Sequence, residues 1–161
     1  MKSLWAPWRV SFISSKKEEG CIFCNKPSER DDMQNLILER REMVFCMLNK
    51  FPYNSGHILV APYRHVCNFD ELKIEEWADM LRLLQDSIKI LKAQMRPEGY
   101  NIGFNVGKAS GAGFDHLHLH IVPRWVGDTN FMPVLSETKV IPEHIEATYN
   151  SIREGFSGLN K

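Results

Sequence analysis

The chain has 161 residues, 43% hydrophobic and 25% charged, and its 20 basic and 20 acidic side chains cancel at pH 7. That length suits one domain burying roughly 70% of its unfolded surface, and the composition excludes disordered, collagenous and low-complexity classes. No apolar run approaches the roughly 18 residues of a spanning helix or resembles a signal segment, and the charge balance removes any bulk attraction to nucleic acid or an acidic membrane. A cytoplasmic protein with neither nucleic-acid nor membrane partners is expected, in which Cys21, Cys24, Cys46 and Cys67 are thiols or metal ligands rather than disulfides.

Residues 1–34 read as an irregular arm, with aromatics at Trp5, Trp8 and Phe12, a polar stretch from Ser14 to Gly20, and then CIFC and a charged run. Within a core over 35–125, NLILER, MVFCMLN and HILVAPY read as three strands, the last following the turn-like Pro52 to Gly56. Trp77, Leu81, Leu84, Ile88, Leu91 and Met95 then recur at helical spacing, with Asp70 as a cap and Pro97 to Gly99 as the stop. YNIGFNV reads as a fourth strand entering the glycine-rich VGKASGAGF, and HLHLHIVPRW as a fifth. In the extension 126–161, Ile145, Tyr149, Ile152 and Phe156 mark a C-terminal helix opened by Pro142. These elements make a single α+β domain, an antiparallel sheet of about five strands with a long helix across it.

His116, His118 and His120 alternate with Leu117, Leu119 and Ile121, which puts three imidazoles on one strand face and the apolar side chains on the other. Imidazole is a nucleophile, a proton carrier near neutral pH and a metal ligand. A lone strand histidine is usually structural, but three in strict alternation beside a glycine-rich loop point to chemistry. Gly107, Gly111 and Gly113 let backbone amides approach an anion closely and Ser110 adds a hydroxyl, although a flexible hairpin loop is the plain alternative. No acidic cluster stands beside the histidines to recruit magnesium, so charge stabilisation falls to protein groups. Cys21 and Cys24 can fill two of the four positions around a tetrahedral ion, or form a redox pair, for which no βαβ pattern follows. Cys46 reads as a buried small hydrophobe, and Cys67, two residues after His65, as a spare ligand.

HLHLHIV resembles the signature of the histidine triad (HIT) family of nucleotide hydrolases and transferases, His-x-His-x-His followed by two apolar residues. The resemblance runs from Cys21 to about Pro142 and takes in LNKFPYNSGHILVAPYRHV and NVGKASGAG in order. LWAPWR and PRWVGDTNFMPVLSETKVIPE are similar to the bacterial branch containing diadenosine tetraphosphate phosphorylases. The resemblance implies a HIT-like fold and an enzyme that cleaves dinucleoside polyphosphates. His118 would attack the α-phosphorus, form a nucleotidyl-histidine and hold its other ring nitrogen as a donor to a backbone carbonyl. His120 would contact the transferring phosphate and handle protons, and Asn105 would supply an amide donor. Asn49 corresponds to a ribose and base contact and His57 to a fourth histidine near the phosphate. Trp125 reads as a base-stacking or dimer-closing aromatic, or as packing at the core edge.

Some bacterial members of the family complete a zinc site with residues matching His65 and His116. Their likeness implies a structural zinc on Cys21, Cys24, His65 and His116, with no cofactor for the chemistry. It also implies a homodimer formed through the long helix and a strand edge. The acceptor is inorganic phosphate in a phosphorylase and water in a hydrolase. The alternatives are hydrolysis of other AMP conjugates such as phosphoramidates, a metal held by all three triad histidines that activates water, and a nucleotide-binding regulatory module with little turnover.

Overall fold

The computed structural model describes residues 20–128 and 143–159. The aromatics Trp5, Trp8 and Phe12 and the helix-opening Pro142 lie outside the described residues. Five strands, β1 (Ile37–Arg40), β2 (Val44–Leu48), β3 (Ile58–Pro62), β4 (Gly99–Phe104) and β5 (Leu119–Arg124), form one antiparallel sheet in the order β1-β2-β3-β5-β4. Three helices accompany it, α1 (Ile22–Ser28), α2 (Ile74–Met95) and α3 (Ile145–Leu159). This is the expected α+β architecture with one correction: α1 lies inside the arm read as irregular.

Both faces of the sheet centre are covered, which is why β2 and β3 are continuous apolar runs rather than alternating ones. Val44, Cys46, Leu48, Ile58, Val60 and Ile121 face α2 and α3, meeting Met80, Leu83, Leu91, Tyr149 and Ile152. Phe45, Met47, Leu59 and Ala61 take the opposite face with Phe23 of α1. In β1, Ile37 faces Met47 and Glu39 faces Cys46, so Leu38 is the extra residue of a bulge. Two carbonyls at that bulge find partners in α3: the Tyr149 hydroxyl donates to Ile37 O at 3.1 Å, and the Arg153 guanidinium donates to Leu38 O.

Helix α2 starts at Ile74, not after Asp70, because Phe69–Glu71 closes into a 3-10 turn. The Glu76 carboxylate reaches back to accept the Lys73 N–H at 2.9 Å. The stop falls where expected: Arg96 takes the left-handed region at φ 49° and Pro97 follows. The buried stripe is Glu76, Met80, Leu83, Ser87, Ile90 and Leu91, rotated from the one read in sequence. Trp77, Leu84 and Ile88 are half-buried, and Leu81 is 52% exposed. Two polar members hide the true stripe. The Ser87 hydroxyl donates to Leu83 O at 2.7 Å, and Glu76 pairs with Arg64. Among the described residues, no helix is long and apolar enough to cross a membrane.

Ile152 is fully buried between α3 and the sheet. Ile152→Ala is expected to cost about 2–5 kcal/mol in urea unfolding and Leu81→Ala no more than about 0.5 kcal/mol. Equal losses would contradict this placement of the core.

Candidate active site

The triad histidines lie on the α1 side of the sheet and all three are buried. Only His120 belongs to a strand, opposite Leu59 of β3 and Gly103 of β4. His116 and His118 sit in the segment leading into β5, a correction to the expectation that all of HLHLHIVPRW is strand. There the Leu117 N–H donates to Val66 O at 2.7 Å, so the alternation persists beyond the ladder.

Each ring has a different partner, and the partners settle the tautomers. His116 Nε2–H donates to Pro62 O at 3.0 Å, which leaves Nδ1 as the lone pair. His118 Nδ1–H donates to His116 O at 2.6 Å, the backbone donation expected from sequence, and leaves Nε2 bare. His57 Nδ1 accepts the Tyr53 backbone N–H at 3.1 Å and the Asn49 amide at 3.3 Å, so its proton is on Nε2 and donates to His120 Nδ1 at 2.9 Å. His120 therefore carries its proton on Nε2, which is buried and has no partner among the described residues. Such a donor costs about 1–3 kcal/mol unless a ligand accepts from it. Burial lowers the pKa of all three rings, His116 and His120 to about 4, so they are neutral at pH 7.

A cleft of about 250 Å³ opens between β4 and Tyr53, bordered also by Asn105, His120 and Val122. The Tyr53 ring lies parallel to His120, with centroids 5.8 Å apart and 9° between planes. The turn carrying it is held from two sides. Asn54 donates to Pro123 O at 3.0 Å and to Asp128 at 2.8 Å, and Gly56, at a φ of +74° that favours glycine, packs so closely on α2 that a Cβ would push the Met95 side chain aside. In the glycine loop, Gly107 and Gly111 take φ of +78° and +84° around the turn Lys108–Ser110, and a Cβ at Gly107, Gly111 or Gly113 would meet nothing within 4 Å. The Ser110 hydroxyl donates back into that loop, 2.8 Å from Gly107 O. Trp125 is half-buried just beyond β5, its N–H held by Asp128 at 3.1 Å.

The structure thus gathers His57, His118 and His120 and brings Asn105 to the cleft. Asn49 stands behind His57, and the cleft border does not include Gly107, Ser110, Gly111, Gly113 or Trp125. Two aromatic partners escaped the sequence reading: Tyr53, and Phe23, whose ring stacks on His118 with centroids 4.6 Å apart. The only trace in sequence was an aromatic four residues before His57 and another between the two cysteines of CIFC.

The ligand atoms of Cys21, Cys24, His65 and His116 all lie within 4.8 Å of one another. Cys21 Sγ is 3.2 Å from His116 Nδ1, and Cys24 Sγ is 3.5 Å from His65 Nδ1 and 3.7 Å from His116 Nδ1. A tetrahedral zinc with ordinary bond lengths sets sulfur and nitrogen ligands about 3.6 Å apart, so the set fits. Glu76 grips Arg64 at 3.0 and 2.7 Å and so anchors the segment bearing His65. Among the described residues the three triad histidines form no such ligand cluster, and His116 belongs instead to the cysteine–histidine set. Burial and the adjacent Cys21 push the Cys24 thiol up, opposite to an activated redox thiol. Cys46 is the buried hydrophobe expected, and Cys67 stands beside the cluster, 3.7 Å from His65 Nε2.

The buried rings tie stability to pH. Their folded pKa lies below the ordinary 6.5, so between pH 6.5 and about 4 the unfolded chain binds more protons than the folded one. Stability is fully present above pH 6.5 and falls as pH drops toward 4, on the order of 3 kcal/mol for His120 alone. A urea midpoint that moves down through this window, less steeply in His120→Asn, is expected; a midpoint flat from pH 6.5 to 4 would contradict the buried neutral state.

Residues 30–126 match the HIT domain family. The chain is 34% identical over 158 residues to the AP-4-A phosphorylase of Mycobacterium tuberculosis (strain ATCC 25618 / H37Rv), covering 92% of this chain and 80% of that protein. It is 35% identical over 104 residues to the adenosine 5'-monophosphoramidase of Schizosaccharomyces pombe, covering 65% of this chain and 74% of the relative. The fold superposes on the Zn-bound histidine triad family protein from Mycobacterium smegmatis with a TM-score of 0.69 and 26% identity, over 88% of this chain and 96% of that one. The chain belongs to the HIT family.

Proposed function

We propose that this chain, one HIT domain with an N-terminal arm, transfers the AMP unit of a dinucleoside polyphosphate through a nucleotidyl-histidine on His118. The observation that carries the reading is a pair of opposite tautomers in adjacent rings: a bare Nε2 on His118 and an unpartnered Nε2–H on His120, with centroids 4.8 Å apart. The His118 lone pair attacks the α-phosphorus. An N–P bond forms as the P–O bond to the polyphosphate breaks, and the leaving oxygen keeps the electron pair. His120 Nε2–H donates to a phosphate oxygen, and Asn105 at the cleft border helps to spread the developing charge. An oxygen of inorganic phosphate then attacks the same phosphorus, the N–P bond breaks, and ADP leaves with His118 neutral again. Water in that position gives AMP and releases a proton. The similarity to an AP-4-A phosphorylase over most of the chain supports phosphate as the acceptor. The likeness to a phosphoramidase supports AMP phosphoramidates as a second substrate class.

The cysteine–histidine cluster and its fit to tetrahedral geometry support a structural zinc, since four protein ligands leave no open position. Edge strand β4, with Ile102 44% exposed beside the Phe69–Trp77–Phe104 cluster, supports a homodimer.

Purified protein incubated with diadenosine tetraphosphate is expected to form ADP and ATP only when phosphate is present, and His118→Ala to form neither. AMP and ATP without phosphate would make the chain a hydrolase, and no product under either condition would overturn the reading. Sedimentation of the same sample is expected at twice 18.7 kDa, and metal analysis to find zinc that Cys24→Ser loses.

A further inference from the structure

Helix α1 is only seven residues long, contains Pro27, and has no side-chain cap at Cys21. Isolated helices shorter than about 12–15 residues are marginal, so its placement depends on what its side chains hold. Cys24 of the helix and Cys21 just before it belong to the ligand cluster. Between them Phe23 points into the sheet face, 1% exposed, and its ring covers one side of the His118 imidazole with 27° between planes. Phe114 meets Phe23 edge-on at 6.0 Å, and Phe45 lies behind it at 6.5 Å. His118 is thereby fixed twice, by the Nδ1–H bond to the His116 carbonyl and by the aromatic ring on its face. His116, which supplies that carbonyl, is also a member of the cluster.

We infer that Phe23 is a positioning residue for His118, held in place by a metal on Cys21, Cys24, His65 and His116, so that metal occupancy governs turnover at the neighbouring site. The inference rests on His118 being the nucleophile. The metal takes no part in the chemistry; it fixes α1, α1 fixes the Phe23 ring, and the ring limits the orientations open to the imidazole. A lateral shift of a nucleophile by about 1 Å can cost on the order of 100-fold in rate, so a loosened clamp acts on kcat rather than on substrate affinity.

The test compares wild type, Phe23→Leu and Phe23→Met, each zinc-loaded and after complete chelation, with zinc content measured throughout. Kinetics with diadenosine tetraphosphate are paired with the His118 ring-proton NMR shift, which the current of a stacked phenyl ring moves upfield. Both zinc-loaded variants are expected to keep their metal, lose about 10- to 100-fold in kcat at unchanged KM, and show the His118 ring protons moved downfield. Chelating the wild type is expected to reproduce both changes, and chelating either variant to add less than about twofold, because the two perturbations remove one interaction. Unchanged kcat and ring-proton shift in the variants would overturn the inference, as would losses that multiply on chelation. A raised KM at unchanged kcat would make Phe23 a substrate contact instead. Retained turnover in His118→Ala would remove the nucleophile assignment, while the ring-proton shift would still decide whether zinc holds Phe23 against His118.

Discussion

The hydrogen bond from His118 Nδ1–H to the His116 carbonyl, 2.6 Å long and buried, is the constraint on which the site depends. A neutral imidazole has one bare nitrogen, and this bond decides which one it is. The same logic assigns the other two rings. His116 gives its Nε2 proton to Pro62 and so turns a lone pair toward the cysteines, whereas His120 accepts from His57 and so keeps a proton to donate. Three identical side chains in a five-residue run thus present three different ring nitrogens: a lone pair toward the cysteines, a bare Nε2 and an Nε2–H. What separates them is the partner of the second nitrogen, supplied by backbone or by a fourth histidine far away in sequence.

That differentiation needs a rigid and dry support. The central strands are buried on both faces, with α2 and α3 on one side and α1 on the other, so the rings project from a surface whose far side is packed core. Burial on the α1 side also keeps the imidazoles neutral, as a nitrogen nucleophile requires. Among the described residues the cost of burying the triad rings is carried by hydrogen bonds, save for the Nε2 donor of His120. Under the proposed function, a phosphate oxygen would be the acceptor for that donor. The network of Asn54, Arg124 and Asp128 seats the turn that carries Tyr53 and His57, linking the end of β5 to the cleft.

Much of this was legible in sequence because it is periodic or motif-borne. The alternation at His116, His118 and His120, the strands, and the helical spacing before Pro97 all appear as local patterns. Where local pattern failed, tertiary contacts had overridden it. The α2 stripe was misread because its core-facing side includes Ser87 and Glu76, polar residues satisfied by Leu83 O and Arg64. Asp70 was passed over as a cap because the chain makes a 3-10 turn before the helix begins. The roles of Tyr53 and Phe23 depend on rings 67 and 95 positions further along, at His120 and His118, and a turn aromatic or a residue between two cysteines carries no sign of such a contact. The ligand cluster is non-local too. Its CxxC was visible, but His65 and His116 were reached through family resemblance rather than through spacing.

The most direct measurement is the 15N NMR spectrum of the histidine side chains at pH 7, with long-range couplings that distinguish protonated from bare ring nitrogens. The expected result is His118 protonated at Nδ1 and bare at Nε2, and His120 protonated at Nε2. A His118 with its proton on Nε2, or one charged at pH 7, would contradict the tautomer assignment on which the nucleophile rests.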